Sequence, residues 1–96
     1  MSEVLTRKVI VTNPLGFHLR PVAAFAKLAN QYQSTVTVSK GTRRVNGKSP
    51  LELMLLAAQV GSELTLEVQG SDAPQAMEPL AALLAAPSVD EEPEGN

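Results

Sequence analysis

The sequence predicts an α+β fold, an open-faced sandwich in which three helices cover one face of a four-stranded antiparallel sheet. The first observation is the order of strand-like and helix-like segments, which runs βα, ββα, βα along the chain. The second is size: 96 residues with a 44% hydrophobic fraction are enough for one core, and with only 3% aromatic residues that core must be aliphatic. The third is the absence of cysteine, which excludes disulfides and thiolate chemistry.

The first strand is predicted over residues 4–12, because apolar and polar side chains alternate there. Val9 and Val11 should face the core, and the residues between and beside them should face outward. The helix that follows should bury one stripe, made of Leu19, Val22, Phe25, Ala26 and Ala29. That stripe leaves Arg20 on the exposed side.

Two strands joined by a tight turn are predicted next, at residues 35–39 and 42–45 with Lys40-Gly41 between them. The segment Ser49-Pro50-Leu51-Glu52 has the pattern of a capping box with proline at the first helical position. It predicts a short helix that ends before Gly61. Because leucine and methionine surround its axis, this helix is either internal or partly covered by a partner.

Residues 63–68 give the last predicted strand, since their apolar residues alternate regularly. The last helix should begin near Asp72, whose carboxylate is expected to cap it. Pro79 falls inside this helix and should kink it. From residue 87 the chain is acidic and contains proline, so we expect one domain over residues 1–86 and a disordered tail over residues 87–96.

The stretch Asn13–Pro21 carries the readable chemistry. His18, the single histidine, falls where a strand ends and a helix begins, and Gly16 permits a sharp loop before it. First-turn amides have no partner within their helix and carry the positive end of its dipole. With the Arg20 guanidinium nearby, this arrangement suits a phosphoryl group. An imidazole nitrogen is a plausible nucleophile for phosphoryl transfer.

The string Leu15-Gly16-Phe17-His18-Leu19-Arg20-Pro21 resembles the phosphorylation-site motif of HPr, the family of histidine-containing phosphocarriers in the bacterial phosphoenolpyruvate-dependent phosphotransferase system. Asn46-Gly47-Lys48-Ser49, before an apolar helix, resembles that family's regulatory-serine region. The resemblance covers nearly all of residues 4–86. Three residues depart from the family's pattern: Leu19 and Val22 are bulkier than usual, and Pro50 replaces a branched aliphatic residue.

The resemblance implies that His18 accepts a phosphoryl group on Nδ1 from Enzyme I and passes it to an Enzyme IIA domain that serves sugar transport. Arg20 would offset charge during transfer, and the loop at Gly16 and Leu19 would help hold the phosphate. Such a protein is a phosphoryl carrier with a phosphohistidine intermediate rather than an independent enzyme. It is expected to need no metal and no cofactor.

The resemblance also implies a regulatory role for Ser49, through phosphorylation by an HPr serine kinase/phosphorylase. A docking surface for the partner proteins is expected at Phe17, Leu51, Met54 and Leu55. Their apolar side chains would lie beside the polar histidine loop.

Two other functions compete with the phosphocarrier. A regulatory binding module would use Ser49 without relaying phosphate, but loss of the histidine would be its mark and His18 is present. A ferredoxin-like RNA-binding domain is disfavoured by the net charge of −2, the pI near 5.3 and the strands' lack of aromatic residues. No nucleic-acid partner and no membrane insertion are expected. The predicted protein is a cytoplasmic monomer.

Overall fold

The computed structural model describes residues 3–87, with side chains from residue 4, and contains a four-stranded sheet and three helices. The strands are β1 (Glu3–Ile10), β2 (Thr35–Lys40), β3 (Arg43–Asn46) and β4 (Glu63–Gly70), and the helices are α1 (Leu19–Ala29), α2 (Pro50–Met54) and α3 (Ala73–Ala85). The strand order is β1-β4-β2-β3, and every pairing is antiparallel. The predicted α+β architecture is confirmed. The tail beyond Pro87 lies outside the described residues.

One face of the sheet forms the floor of the core. Val9 pairs with Leu64 in the β1–β4 register, and Val38 pairs with Leu66 in the β2–β4 register, and all four side chains are buried. All three helices contribute to the cover: α3 contacts β1 and β4, α2 contacts β3, and α1 contacts both other helices. No helix in residues 3–87 is long and apolar enough to cross a membrane.

Strand β1 alternates as the sequence predicts. Val9 and Val11 are buried, whereas Ile10 is exposed on the opposite face. The strand ends at Ile10 rather than at residue 12, although Val11 still accepts a hydrogen bond from the Gly61 N–H and donates one to the Ser62 carbonyl. These bonds fix the point from which the loop to α1 leaves the sheet.

Helix α1 buries four of the five residues expected to form its stripe, Val22, Phe25, Ala26 and Ala29. The exception is Leu19, which is 63% exposed, so its predicted place in the core is wrong. Leu19 occupies the first helical position, before the burial that begins at Pro21. The helical period places it on the stripe, but the helix meets the core only from Pro21 onward.

Helix α2 has only five residues and stops at Met54, well before Gly61. The N–H groups of Leu55 and Ala57 bond to carbonyls three residues back, and Ala57 then adopts a left-handed φ of 49°. Ser49 caps the helix by accepting the Glu52 N–H at 3.2 Å. The Glu52 carboxylate accepts the N–H of Asn46 at 2.9 Å instead of that of Ser49, so only half of the capping box forms.

Helix α3 begins at the predicted place, but the Asp72 carboxylate does not cap it. It turns instead to the loop after α1, where it accepts the N–H groups of Gln33 at 2.9 Å and Ser34 at 3.0 Å and the Ser34 hydroxyl. The helix continues through Pro79 to Ala85. Asp72 therefore joins the end of α1 to the start of α3.

Candidate functional site

A tight turn built on Asn13 carries the chain from β1 to the histidine. The Asn13 carbonyl accepts the Gly16 N–H at 2.8 Å, and its side-chain oxygen accepts the Leu15 N–H at 2.9 Å. Asn13 is 7% exposed, one of only two buried polar or charged residues in the described part of the chain. Sequence reasoning gave it no role, although asparagine followed by proline, with glycine as the fourth residue, is a signal for such a turn.

Gly16 sets the direction of the loop by two constraints. Its φ is 78°, in the left-handed region that other residues rarely adopt. A Cβ built at Gly16 would lie 2.7 Å from the Ala58 carbonyl oxygen. The same oxygen accepts the Phe17 N–H at 2.8 Å. The loop is thus fixed against the segment that follows α2, and Ala58 is a contributor that the sequence did not indicate.

His18 lies at the predicted start of α1 and is its N-cap residue, with an extended backbone and its carbonyl accepting the Val22 N–H at 2.9 Å. Its ring makes no capping hydrogen bond within the described residues. Nε2 is buried and has no hydrogen-bond partner there, although the residue as a whole is partly exposed.

Arg20 is the second residue of α1 and is exposed, as expected from the helical period. It stands two residues after His18, in the turn whose backbone N–H groups lack intrahelical acceptors. Pro21, at the third position, is buried and lacks an N–H. The guanidinium therefore extends from the same helical turn as the histidine, where it adds positive charge to the end of the helix dipole.

The residues expected to form a docking surface separate into two groups. Leu51 and Met54 on α2, and Leu55 directly after it, are 76%, 43% and 56% exposed. Phe17 is 6% exposed and packs edge-on against Phe25, with ring centroids 6.1 Å apart, so its predicted place on that surface is wrong. Its burial holds the loop to the core. Leu15 and Leu19, 71% and 63% exposed, are the apolar side chains that flank the histidine instead.

Ser49 is partly buried, and its hydroxyl oxygen is engaged in the α2 cap. Asn46 braces the turn before it, because its side-chain oxygen accepts the Lys48 N–H at 2.9 Å and its carbonyl accepts the Ser49 N–H at 3.1 Å. Since α2 contacts α1, Ser49 begins a helix that neighbours the one bearing His18.

Comparison with protein families gives one match, to the family described as PTS-HPr, the PTS HPr component phosphorylation site, over residues 5–86. The phosphocarrier protein HPr of Cupriavidus necator is 42% identical over 82 residues, which are 85% of this chain and 92% of that protein. The HPr-like protein Crh of Bacillus subtilis is 42% identical over 79 residues, covering 82% of this chain and 93% of that protein.

Comparison with solved structures leads to the same family as comparison of the sequences. A phosphocarrier protein HPr from Bacillus anthracis superposes with a TM-score of 0.80 at 36% identity, covering 84% of this chain and 96% of that one. Other similar structures are described as dimers, among them an HPr dimer from Thermoanaerobacter tengcongensis with a TM-score of 0.66 at 32% identity, covering 78% of this chain and 86% of that one. The monomeric state expected of this chain therefore stays a prediction.

Proposed function

The chain belongs to the HPr family of phosphocarriers of the phosphotransferase system, and from this premise we propose that it relays a phosphoryl group from Enzyme I to Enzyme IIA domains through His18. One observation carries the proposal. The N-cap histidine is partly exposed, with Nε2 buried, and an exposed arginine follows it in the first helical turn. A nucleophile, a cation and a helix N-terminus are thereby placed at one point of the surface.

The proposed step is a displacement at phosphorus. The lone pair of His18 Nδ1 attacks the phosphorus of a phosphohistidine on Enzyme I, and the P–N bond to the donor breaks with its electron pair returning to the donor imidazole. Transfer onward is the same reaction, with a histidine of Enzyme IIA as the attacking group. In the loose transition state negative charge is spread over the phosphoryl oxygens, and a guanidinium at Arg20 would stabilise that charge.

Docking would use apolar side chains around a polar centre. Leu51, Met54 and Leu55, on α2 and at its C-cap, expose much of their surface, and so do Leu15 and Leu19 near His18. The contact of α2 with α1, and the packing of Gly16 against Ala58, bring these two groups to neighbouring parts of the surface. Burial of such side chains against a partner gives affinity, while the partly exposed histidine remains at the edge for transfer.

Labelling with phosphoenolpyruvate and Enzyme I tests the proposal. Because His18 is the chain's single histidine, a phosphoryl group on imidazole has one possible position. We expect an acid-labile, alkali-stable phosphate on the wild type and none on His18→Ala. The variant should stay folded, since the ring makes no capping bond and a cap contributes only about 0.5–2 kcal/mol. Labelling of the folded variant would disprove the assignment.

Regulation through Ser49 is a second part of the proposal, supported by its position before the exposed leucines of α2. A phosphate there would place up to two negative charges beside the apolar docking side chains, which would oppose docking. We expect Ser49→Asp to accept phosphate from Enzyme I more slowly than Ser49→Asn, a variant that can also cap but carries no charge. Equal rates would leave Ser49 with its capping role alone.

A further inference from the structure

Asn46, the last residue of β3, is followed by Gly47, and this is the single Asn-Gly pair of the sequence. The side-chain amide of an asparagine can react with the backbone nitrogen of the next residue, and glycine leaves that nitrogen least hindered because it has no Cβ. Asn13 precedes a proline, whose nitrogen has no proton to lose, and Asn30 precedes Gln31. Asn46, which is exposed, is thus the asparagine whose neighbour favours this chemistry.

A hydrogen bond holds the Asn46 side chain close to the peptide that can attack it. Its Oδ1 accepts the Lys48 N–H at 2.9 Å. The ring closed by this bond includes both reacting atoms, Cγ of Asn46 and the backbone nitrogen of Gly47. The same N–H draws electrons from the amide carbonyl and would stabilise the negative charge that forms on Oδ1 during attack. The electrophile is therefore activated in the folded chain.

The nucleophile, in contrast, is held against the sheet. The Gly47 N–H donates to the Val36 carbonyl at 2.7 Å, and Gly47 is buried. A Cβ at this position would lie 2.5 Å from Val36 Cγ1, so the backbone packs directly against β2. The Glu52 carboxylate, which accepts the Asn46 N–H at 2.9 Å, fixes the start of the turn. A base cannot remove the Gly47 proton until this backbone has moved away from Val36.

We propose that Asn46 is a deamidation site, closed in the folded protein by the Gly47–Val36 bond and opened when the turn detaches from β2. Hydroxide takes the Gly47 N–H proton, and the nitrogen lone pair attacks Cγ of Asn46. The bond from Cγ to Nδ2 then breaks, its electron pair leaves with the nitrogen, and water supplies the proton that makes the leaving group ammonia. A succinimide ring remains, and water opens it at either carbonyl. The overall reaction consumes one water and releases one ammonia.

Ring opening at one carbonyl gives aspartate, and opening at the other gives isoaspartate, in which the chain runs through the former side chain. Either product adds one negative charge, so the formal net charge falls from −2 to −3. Aspartate keeps an oxygen for the Lys48 N–H. In isoaspartate the carbonyl that accepts the Ser49 N–H at 3.1 Å becomes part of a free carboxylate, so the turn before α2 is rebuilt. Neither product requires phosphoryl transfer, so the site stands apart from the function proposed for His18.

Peptide mapping by mass spectrometry tests the site on the full-length protein at mildly alkaline pH, folded in buffer or unfolded in guanidinium chloride. Trypsin cleaves after Arg44 and Lys48, so the gain in mass from replacing NH₂ by OH appears in residues 45–48. The need to break one backbone hydrogen bond reduces the reactive fraction about two- to tenfold, so the folded protein should react at least about twofold more slowly than the unfolded one. A folded rate equal to the unfolded rate would overturn closure by the fold, and no conversion in guanidinium chloride would overturn the site itself.

Two variants of Glu52 test whether the bonds of the turn control the reaction. Glu52→Ala removes the acceptor of the Asn46 N–H, whereas Glu52→Gln removes the charge but retains an oxygen that can accept. In the folded state Glu52→Ala should deamidate about two- to tenfold faster than Glu52→Gln, and in guanidinium chloride the two should react alike. Circular dichroism checks that both variants are folded, and the wild-type comparison needs no variant. Equal folded-state rates for the two variants would contradict closure of the site by the turn.

Discussion

Gly16→Ala is the substitution that tests how the histidine loop is held, and Gly41→Ala is its matched control. Both glycines have positive φ, 78° and 62°. A Cβ at Gly41 would meet nothing within 4 Å, whereas one at Gly16 would lie 2.7 Å from the Ala58 oxygen and 3.1 Å from the Gln59 Cα. The pair therefore separates the cost of a left-handed alanine from the cost of a collision with backbone.

The expected losses follow from these contacts. A left-handed L-residue costs about 1–2 kcal/mol, and this term applies to both variants. Alanine also restricts the unfolded chain more than glycine does, but this effect is the same for both variants and cancels in the comparison of their stabilities. At Gly16 the Ala58 carbonyl must move, which weakens the bond it accepts from the Phe17 N–H, worth about 0.5–1.5 kcal/mol. Gly16→Ala should thus be about 1 kcal/mol less stable than Gly41→Ala.

Urea unfolding measures this difference directly, as a midpoint lower by up to about 1 M for a protein of this size. Phosphoryl acceptance by His18 should fall for Gly16→Ala even at temperatures where the variant is folded, because the loop that carries the ring has shifted. Gly41→Ala should transfer at the wild-type rate. Equal stability of the two variants would refute the reasoning, since it would show that the loop can move away from the Ala58 carbonyl without loss of folding free energy.

Three further predictions concern separate parts of the molecule. Hydrogen bonds from Ser34 and Gln33 hold the pKa of Asp72 below its usual 3.8. The stability that these bonds contribute is therefore present above about pH 4 and is lost as the pH falls through the pKa of Asp72 in the folded protein. Urea unfolding should show Asp72→Asn less stable than the wild type at pH 7, and the difference in stability should be smaller at pH 3. Met54→Asp should keep its circular dichroism spectrum and bind Enzyme I more weakly, whereas Leu53→Asp, at a position with no exposed surface, should unfold the domain. Arg20→Ala should slow labelling far more than it changes the urea midpoint, and Arg20→Lys should recover little of the rate if the guanidinium geometry is required; equal rates for the three proteins would remove Arg20 from the mechanism.

The sheet was predictable because each strand has one buried face. Alternation placed Val9 and Val11 toward the core, and the structure buries both. The junction at His18 was predictable for the same reason, since the two-residue period of a strand changes there to a helical period. A short sequence pattern therefore predicts burial or backbone geometry well when the residues that interact are close together in the chain.

The wrong predictions share a different cause, which is a choice between local and distant partners. Asp72 stands where a capping residue is expected, yet its carboxylate finds three donors 38 or 39 residues away in the chain. Glu52 similarly bonds to Asn46 rather than to the N–H of Ser49. Phe17, flanked by candidate site residues, turns inward to Phe25 because the loop folds back on the core. Each outcome depends on the assembled fold, which no short pattern contains.

Phe17 is buried while His18 beside it is partly exposed, and this difference explains how the site can combine a fixed loop geometry with a nucleophile that meets solvent. Backbone groups and buried residues hold the loop: the Asn13 turn, the Phe17–Ala58 hydrogen bond and the Phe17 ring. By contrast, the His18 ring forms no cap bond among the described residues, and Arg20 lies on the exposed side of α1. Substitution of His18 should therefore remove function at little cost in stability. Substitutions at Asn13 or Gly16 should change both together, because the scaffold of the site is also part of the core.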